Sequence, residues 1–229
     1  MKPRLSSDER RLVLAVASRL LQYPDAALQD QLPLLRDAAG RLPASVGTPL
    51  RRFVDRLGSR PLLELQADYV ATFDLRRRHC LYLTYHQDGD TRRRGMALWR
   101  FRQLYRERGY ALAASELPDF LPAVLELAAE ADVDDRGPVD LLVEHHPAIT
   151  VLRDALAGAR SPYVDVVEAL RAALPAPSRE ALEAARRLEE EGPPAEQVGL
   201  EPYALEPTAP APRVGEEDPV PGIPAGGRA

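Results

Sequence analysis

Apolar side chains recur every three or four residues along most of this 229-residue chain, and that spacing limits its fold more than any other feature. Ser6 and Glu9 form a capping-box pattern at the start of the first such stretch, and Tyr23-Pro24 ends it. A strand would need apolar and polar residues to alternate, which happens only over residues 81–85, a run too short to found a sheet. The sequence therefore predicts an all-α fold, a single-domain helical bundle.

Capping residues and prolines predict where the remaining helices begin. Pro33 predicts a kink or a late start in the second helix, and Pro147 predicts an interruption of the stretch 138–158. Trp99 lies off the apolar stripe of its helix, so we expect it to be partly exposed or to cover a neighbour. The expected helix starts are Asp25, Thr48-Pro49, Pro61, Asp90 or Thr91, Pro118, residue 138, Ser161-Pro162 and Ser178. Residues 80–85 are expected to end one helix. The aromatic residues expected in the core are Tyr69, Phe73, Phe101 and Tyr105.

The composition changes at residue 192. Nine prolines and six glycines fall in the final 38 residues, with hardly any aliphatic side chains. Such a segment buries too little apolar surface to offset the entropy lost on ordering. The sequence therefore predicts a helical domain over residues 1–191 and a disordered tail over residues 192–229.

Charge is unevenly distributed around a net value of -5. Residues 51–110 hold fourteen arginines and seven acids, whereas residues 111–150 hold nine acids and only Arg136. This split predicts one basic and one acidic surface.

The longest early apolar run, residues 12–17, is too short for a bilayer span, which needs about 20 residues, and for a signal-peptide core, which needs about 7 to 15. The lone Cys80 forms no intramolecular disulfide, so we expect a cytoplasmic protein without membrane insertion.

The histidines and the cysteine have no metal-site spacing. His79, Cys80 and His86 lie close in sequence and His145-His146 form a pair, but neighbouring helical residues diverge by about 100° and do not converge on one ion. Nucleophile-elbow, phosphate-loop and dinucleotide-binding patterns are absent from the sequence. We therefore expect a protein that is not an enzyme and has no cofactor of its own. His145 or His146 is expected at a helix surface, bonded to Glu144 or Asp140.

Two arginine triplets, residues 76–78 and 92–94, allow two interpretations. Clustered arginines near tyrosines are typical of nucleic-acid binding. The alternative is a local cap of the helix that begins near residue 91, in which Asp88 and Asp90 occupy the positive helix end and pair with Arg92 and Arg94. The net acidic charge favours this cap with salt bridges.

The order of several short motifs resembles one known family, the nitrate reductase delta subunit family of molybdenum cofactor assembly chaperones. The motifs that carry the resemblance are Leu20-Leu21-x-Tyr23-Pro24, Tyr69-Val70-x-x-Phe73-Asp74, Leu81-Tyr82-Leu83, Gly89-Asp90-x-Arg92-x-Arg94-Gly95-Met96-Ala97, Glu116-Leu117-Pro118-Asp119, Leu142-x-x-His145 and Ser161-Pro162-Tyr163. They cover about residues 6–175. Phe120 stands where the wider group of redox-enzyme maturation chaperones commonly has histidine.

The resemblance implies an all-helical cytoplasmic chaperone. Its partner would be the catalytic (alpha) subunit of respiratory nitrate reductase, bound through the N-terminal leader and kept competent for insertion of the molybdenum cofactor before membrane attachment. The cofactor insertion machinery is a further candidate partner. Two alternatives stay open: a chaperone for a dimethyl sulfoxide or trimethylamine oxide reductase, and a helical nucleic-acid-binding protein.

A leader peptide forms an amphipathic helix with basic residues, so its receptor needs an apolar groove with carboxylates at the rim. Glu116 and Asp119 are the expected rim carboxylates, and a lysine at position 119 is expected to weaken leader binding without disturbing the helices. The full set of predicted peptide-binding residues is Leu81, Tyr82, Tyr85, His86, Glu116, Pro118, Asp119 and Phe120.

Overall fold

The computed structural model describes residues 5–89, 91–112 and 116–192. Within these ranges the regular structure is helical, and the predicted all-α fold class is confirmed. The eleven α-helices of the described residues are α1 Ser7–Leu20, α2 Ala26–Gly40, α3 Ala44–Gly58, α4 Leu62–Tyr69, α5 Leu83–Asp88, α6 Arg92–Glu107, α7 Leu121–Glu130, α8 Gly137–Glu144, α9 His146–Gly158, α10 Val164–Ala173 and α11 Arg179–Glu191. A π-helical turn, Val70–Asp74, and a 3-10 turn, Arg77–His79, connect α4 to the segment before α5.

Three predicted helix starts carry the expected side-chain caps. Ser6 accepts the backbone N–H of Glu9 at 3.2 Å, while the Glu9 carboxylate accepts that of Ser6 at 2.6 Å. Asp25 accepts the N–H of Leu28 at 2.7 Å, and Ser178 that of Ala181 at 3.1 Å. These bonds satisfy backbone donors that the first helical turn leaves unpaired, which is why α1, α2 and α11 begin beside the predicted residues.

Three predicted boundaries were wrong. α3 begins at Ala44 rather than at Thr48-Pro49, because the carbonyl of Pro43 already accepts the N–H groups of Val46 and Gly47. α7 begins at Leu121 rather than at Pro118, since residues 118–120 form a turn and one extended residue. Residues 80–85 were expected to end a helix, but Tyr82 is extended and α5 begins after it.

α1 and α10 lie at the centre of the helical packing. α1 contacts α2, α7 and α10, and α10 also contacts α3 and α9. Farther out, α5 packs on α6 and α9, and α11 packs on α9. The apolar faces of α1 to α10 contribute to one buried cluster, whose residues lie between Leu5 and Leu174 in the sequence.

An aromatic cluster fills the space between α3, α4 and α10. The ring of Tyr163 lies 4.8 Å from that of Phe53 and 4.7 Å from that of Phe73, and Tyr69 lies 4.7 Å from Phe73. The hydroxyl of Tyr69 donates to the carbonyl of Leu21 at 3.0 Å, which satisfies its polar atom inside the core. The predicted burial of Tyr69, Phe73, Phe101 and Tyr105 is confirmed.

The predicted tail, beyond Gly192, lies outside the described residues. In the part of the chain that the structure describes, every helix is too short or too polar to cross a bilayer.

Candidate functional site

Two chain segments that are distant in sequence meet beside α5 and α7. The N–H of Leu83 donates to the carbonyl of Asp119 at 3.0 Å, and that of Leu121 donates to the carbonyl of Leu81 at 2.8 Å. Tyr82 and Phe120 consequently face each other as an isolated antiparallel bridge. This pairing brings the two parts of the predicted site together, across almost forty residues of chain.

Tyr82, Phe120 and Glu116 form a partly exposed group, which we call the aromatic patch. The rings of Tyr82 and Phe120 lie 5.4 Å apart, and the Tyr82 hydroxyl donates to Oε1 of Glu116 at 3.1 Å. Burial and the neighbouring Glu116 carboxylate raise the pKa of Tyr82 to about 12, so this hydroxyl stays protonated and continues to donate. The patch therefore combines two apolar ring faces with one carboxylate.

Tyr85 is also partly exposed, near the start of α5. The guanidinium carbon of Arg94 lies 5.8 Å from the centre of its ring, a cation–π distance. The cation that contacts this tyrosine thus comes from the first turn of α6.

Asp119 lies inside the protein rather than at a rim. Its side chain is fully buried, and Oδ2 accepts the backbone N–H of Thr84 at 3.1 Å and the Thr84 hydroxyl at 2.6 Å. The reason is the extended conformation around residue 120, in which successive side chains point to opposite sides: Phe120 is partly exposed, so Asp119 points inward. The lysine substitution proposed from the sequence would therefore place an ammonium group in the interior.

The predicted peptide-binding residues divide into two sets of four. Tyr82, Tyr85, Glu116 and Phe120 are partly exposed, whereas Leu81, His86, Pro118 and Asp119 are buried. Nε2 of His86 bonds the carbonyl oxygen of Cys80 at 2.9 Å, and burial lowers the pKa of this histidine. Contact with a bound peptide by the exposed set stays a prediction, while the buried set can act only through the shape of the site.

His145 and His146 were expected at a helix surface beside a carboxylate, and this expectation was wrong. Both are buried at the junction of α8 and α9 and bond backbone carbonyls, those of Leu141 at 2.9 Å and Pro175 at 2.8 Å. Burial lowers the pKa of His145. Glu144 instead binds Arg100 through two hydrogen bonds of 2.6 and 2.8 Å.

The predicted cap of α6 is only partly visible, because Asp90 lies outside the described residues. Thr91 occupies the N-cap position, but its hydroxyl donates to the carbonyl of Asp88 at 2.7 Å and does not cap the helix. Arg94 donates from Nε to the hydroxyl oxygen of Thr84 at 3.2 Å. Pairing of Asp88 and Asp90 with Arg92 and Arg94 stays a prediction.

The first arginine triplet lies among carboxylates. Residues 76–78 line a surface depression together with Asp154 and Glu189, and Arg78 donates to the carbonyl of Glu189 at 3.1 Å. Acidic side chains within such a surface repel phosphates, which weakens the nucleic-acid interpretation. Among the described residues, no three histidine, cysteine or acidic side chains are grouped closely enough to hold a metal ion.

A second apolar surface lies between α6 and α8, and the sequence pointed only to Trp99. It is a depression of about 440 Å³ whose lining includes Met96, Trp99, Leu141 and Glu144. Met96 is 71% and Trp99 55% exposed, so the predicted partial exposure of Trp99 is confirmed. The signal for Met96 was an apolar residue on the polar side of an arginine-rich helix.

Comparison with known proteins gives one family and several relatives. The family model described as nitrate reductase delta subunit matches residues 39–169. The nitrate reductase-like protein NarX of Mycobacterium tuberculosis is 39% identical over 165 residues, which are 72% of this chain and 24% of NarX.

Two chaperones from other bacteria are matched over more of their length. The probable nitrate reductase molybdenum cofactor assembly chaperone NarJ of Bacillus subtilis is 29% identical over 174 residues, 74% of this chain and 92% of the relative. The nitrate reductase molybdenum cofactor assembly chaperone NarJ of Escherichia coli K12 is 33% identical over 160 residues, 69% of this chain and 67% of the relative. The chain thus spans about a quarter of NarX but at least two thirds of each NarJ protein.

Proposed function

The chain belongs to the nitrate reductase delta subunit family, and from that membership we propose that it is an assembly chaperone for respiratory nitrate reductase and not an enzyme. The observation that carries the proposal is the position of the family match: residues 39–169 include both segments of the aromatic patch. The two NarJ relatives, named as molybdenum cofactor assembly chaperones, support the same role.

The proposed client is the catalytic subunit of respiratory nitrate reductase, bound in the cytoplasm through its N-terminal leader. The chaperone would keep the apoenzyme competent for insertion of the molybdenum cofactor before membrane attachment. The insertion machinery is the second proposed partner. The chaperone itself would need no cofactor for this work, since it binds a peptide and catalyses no bond change.

The aromatic patch supports leader binding by its chemistry. Tyr82 and Phe120 offer ring faces to the apolar side of an amphipathic helix, and Glu116 offers a carboxylate to its basic side. Tyrosine and phenylalanine lose little side-chain entropy on contact, so a small patch can contribute measurable affinity. Ordering a flexible leader opposes binding, and a micromolar dissociation constant is the natural range for a complex that must later dissociate.

Isothermal titration of the full chain with the N-terminal peptide of a nitrate reductase catalytic subunit tests the client. We expect a 1:1 complex with a Kd on the order of micromolar. Binding of a dimethyl sulfoxide or trimethylamine oxide reductase leader, with no binding of the nitrate reductase leader, would assign the protein to another molybdoenzyme.

The same titration tests the surface. Tyr82→Ala and Phe120→Ala are each expected to raise the Kd about tenfold, as truncation of a buried interface aromatic does. Trp99→Ala is the matched control, because Trp99 is an exposed aromatic on the other apolar surface and its loss is expected to change the Kd less than about twofold. A large rise in Kd for Trp99→Ala, with little change for Tyr82→Ala and Phe120→Ala, would indicate that the leader binds the depression between α6 and α8.

A further inference from the structure

Asp119, Thr84 and Arg94 connect three elements in one chain of hydrogen bonds, which we call the Asp119 clamp. The Asp119 carboxylate precedes α7, Thr84 lies in the first turn of α5, and Arg94 lies in the first turn of α6. The Thr84 hydroxyl is the central member, because it donates to Asp119 at 2.6 Å and accepts from Arg94 at 3.2 Å. Thr84 and Asp119 are both fully buried.

The clamp caps a short helix from a residue that is distant in sequence. α5 has only six residues, and the side chain of Tyr82, its N-cap residue, makes no capping bond. Asp119 performs this task from 35 residues away, since Oδ2 accepts the N–H of Thr84 at 3.1 Å. Within the described part of the chain, Oδ1 of Asp119 has no hydrogen-bond donor, so the carboxylate depends on its two bonds to Thr84.

The clamp lies directly beneath the aromatic patch. The carbonyl of Asp119 accepts one of the two backbone hydrogen bonds that hold Tyr82 opposite Phe120, and Thr84 directly follows Leu83, the donor of that bond. A change in the spacing of Thr84 and Asp119 therefore changes the distance between the segments that carry the two rings. Two backbone hydrogen bonds alone hold two strands only marginally, and the buried side-chain hydrogen bond of 2.6 Å adds a further connection between the segments.

From this geometry we infer that Asp119 is a positioning residue: through Thr84 it fixes the Tyr82–Phe120 pair in the arrangement that receives the client, and it does not touch the client itself. The inference rests on the proposed leader binding and adds how the site is kept in shape. Thr84 and Arg94 belong to the same device, although neither side chain needs to contact the peptide.

Substitutions of Thr84 test the clamp without burying a new charge. Thr84→Val has nearly the same shape but lacks the hydroxyl, so it loses the side-chain bonds to Asp119 and Arg94 and keeps only the backbone N–H bond to Asp119. We expect the leader Kd to rise about tenfold. Thr84→Ser keeps the hydroxyl and is expected to bind within about twofold of the unmodified protein. Equal binding by Thr84→Val and the unmodified protein would overturn the inference.

Two controls separate positioning from general destabilisation. Val124→Ala, a truncation in the buried face of α7, lowers the Tm without touching the clamp and is expected to leave the leader Kd within about twofold. In a Tyr82→Ala background, Thr84→Val is expected to add less than about twofold to the Kd, because its effect acts through that ring. A full additional tenfold loss, or the same loss in Val124→Ala, would contradict positioning.

Amide hydrogen exchange tests the clamp without any peptide. The N–H groups of Leu83 and Leu121 form the two bonds beside the rings, and they are expected to exchange about tenfold faster in Thr84→Val than in Val124→Ala. If the unmodified protein bound no leader, the proposed function would fail. The exchange measurement would still test the clamp, because it needs no peptide. Unchanged exchange at both amides would reject it.

Discussion

Because Asp119 is buried, a lysine substitution at this position is expected to change the stability of the fold and not only the binding of a peptide. An exposed carboxylate can be replaced by lysine at little cost, but here the ammonium group would lie in a fully buried site that holds two hydrogen-bond donors. We therefore expect Asp119→Lys to lower the free energy of unfolding by about 3 to 5 kcal/mol, the cost of leaving a buried charge uncompensated. Urea denaturation followed by circular dichroism measures this loss.

Glu116→Lys is the matched control, since Glu116 is partly exposed and only three residues away. This variant is expected to keep the Tm of the unmodified protein and to weaken binding of the basic leader. A Tm for Asp119→Lys equal to that of Glu116→Lys would show that the interior tolerates the lysine and would contradict the buried position.

At the scale of the helices, two glycines differ in whether the surrounding structure leaves room for a side chain. Gly47 lies in α3 where it passes the end of α2, and a Cβ atom there would overlap the carbonyl oxygen of Ala39. Gly95 lies in the exposed first half of α6, and a Cβ atom there would meet nothing within 4 Å. The first glycine permits close packing of two helices, whereas the second only weakens its own helix.

We expect Gly47→Ala to destabilise the protein by about 1 to 3 kcal/mol, because α2 and α3 must move apart. Gly95→Ala is expected to stabilise it by about 0.5 to 1 kcal/mol through helix propensity alone. Chemical denaturation of both variants checks the pair. Stabilisation by both substitutions would mean that α2 and α3 do not approach as closely as described.

At the scale of the whole molecule, buried histidines in three separate elements make stability depend on pH. Burial lowers the pKa of His79, His86 and His145. Each lies below its value in the unfolded chain, about 6.5, so unfolding takes up protons when the pH falls below that value. Stability is fully present above about pH 7 and decreases toward pH 5. Carboxylates with lowered pKa, such as Asp25 and Asp135, act only at still lower pH.

Urea denaturation between pH 7.5 and 5 measures this dependence. Each histidine is expected to contribute up to about 1.4 kcal/mol per pH unit in the acidic part of the range. His145→Gln removes one titrating group, and it is expected to lower stability at pH 7.5 while it reduces the slope by one proton. An unchanged slope would show that His145 binds a proton equally well in the folded and the unfolded chain, and would contradict the lowered pKa.

Much of the fold and part of the site could be predicted from the sequence. Ser6, Asp25 and Ser178 cap helices through hydrogen bonds to residues three positions away, and bonds between such close neighbours can be predicted from the sequence alone. Tyr82, Glu116 and Phe120 were named as one site, and the structure brings them together. The boundary at residue 191 and the disordered tail stay predictions.

By itself the sequence determined the helical class, the capped starts and the family, because these follow from apolar spacing, from bonds within one turn and from the order of short motifs. Only the tertiary structure decided that Asp119 faces inward, that His145 bonds a backbone carbonyl and that α5 begins after Tyr82. The physical reason is distance along the chain: the direction of the Asp119 side chain depends on which residue pairs with Phe120, and that partner, Tyr82, lies in another segment.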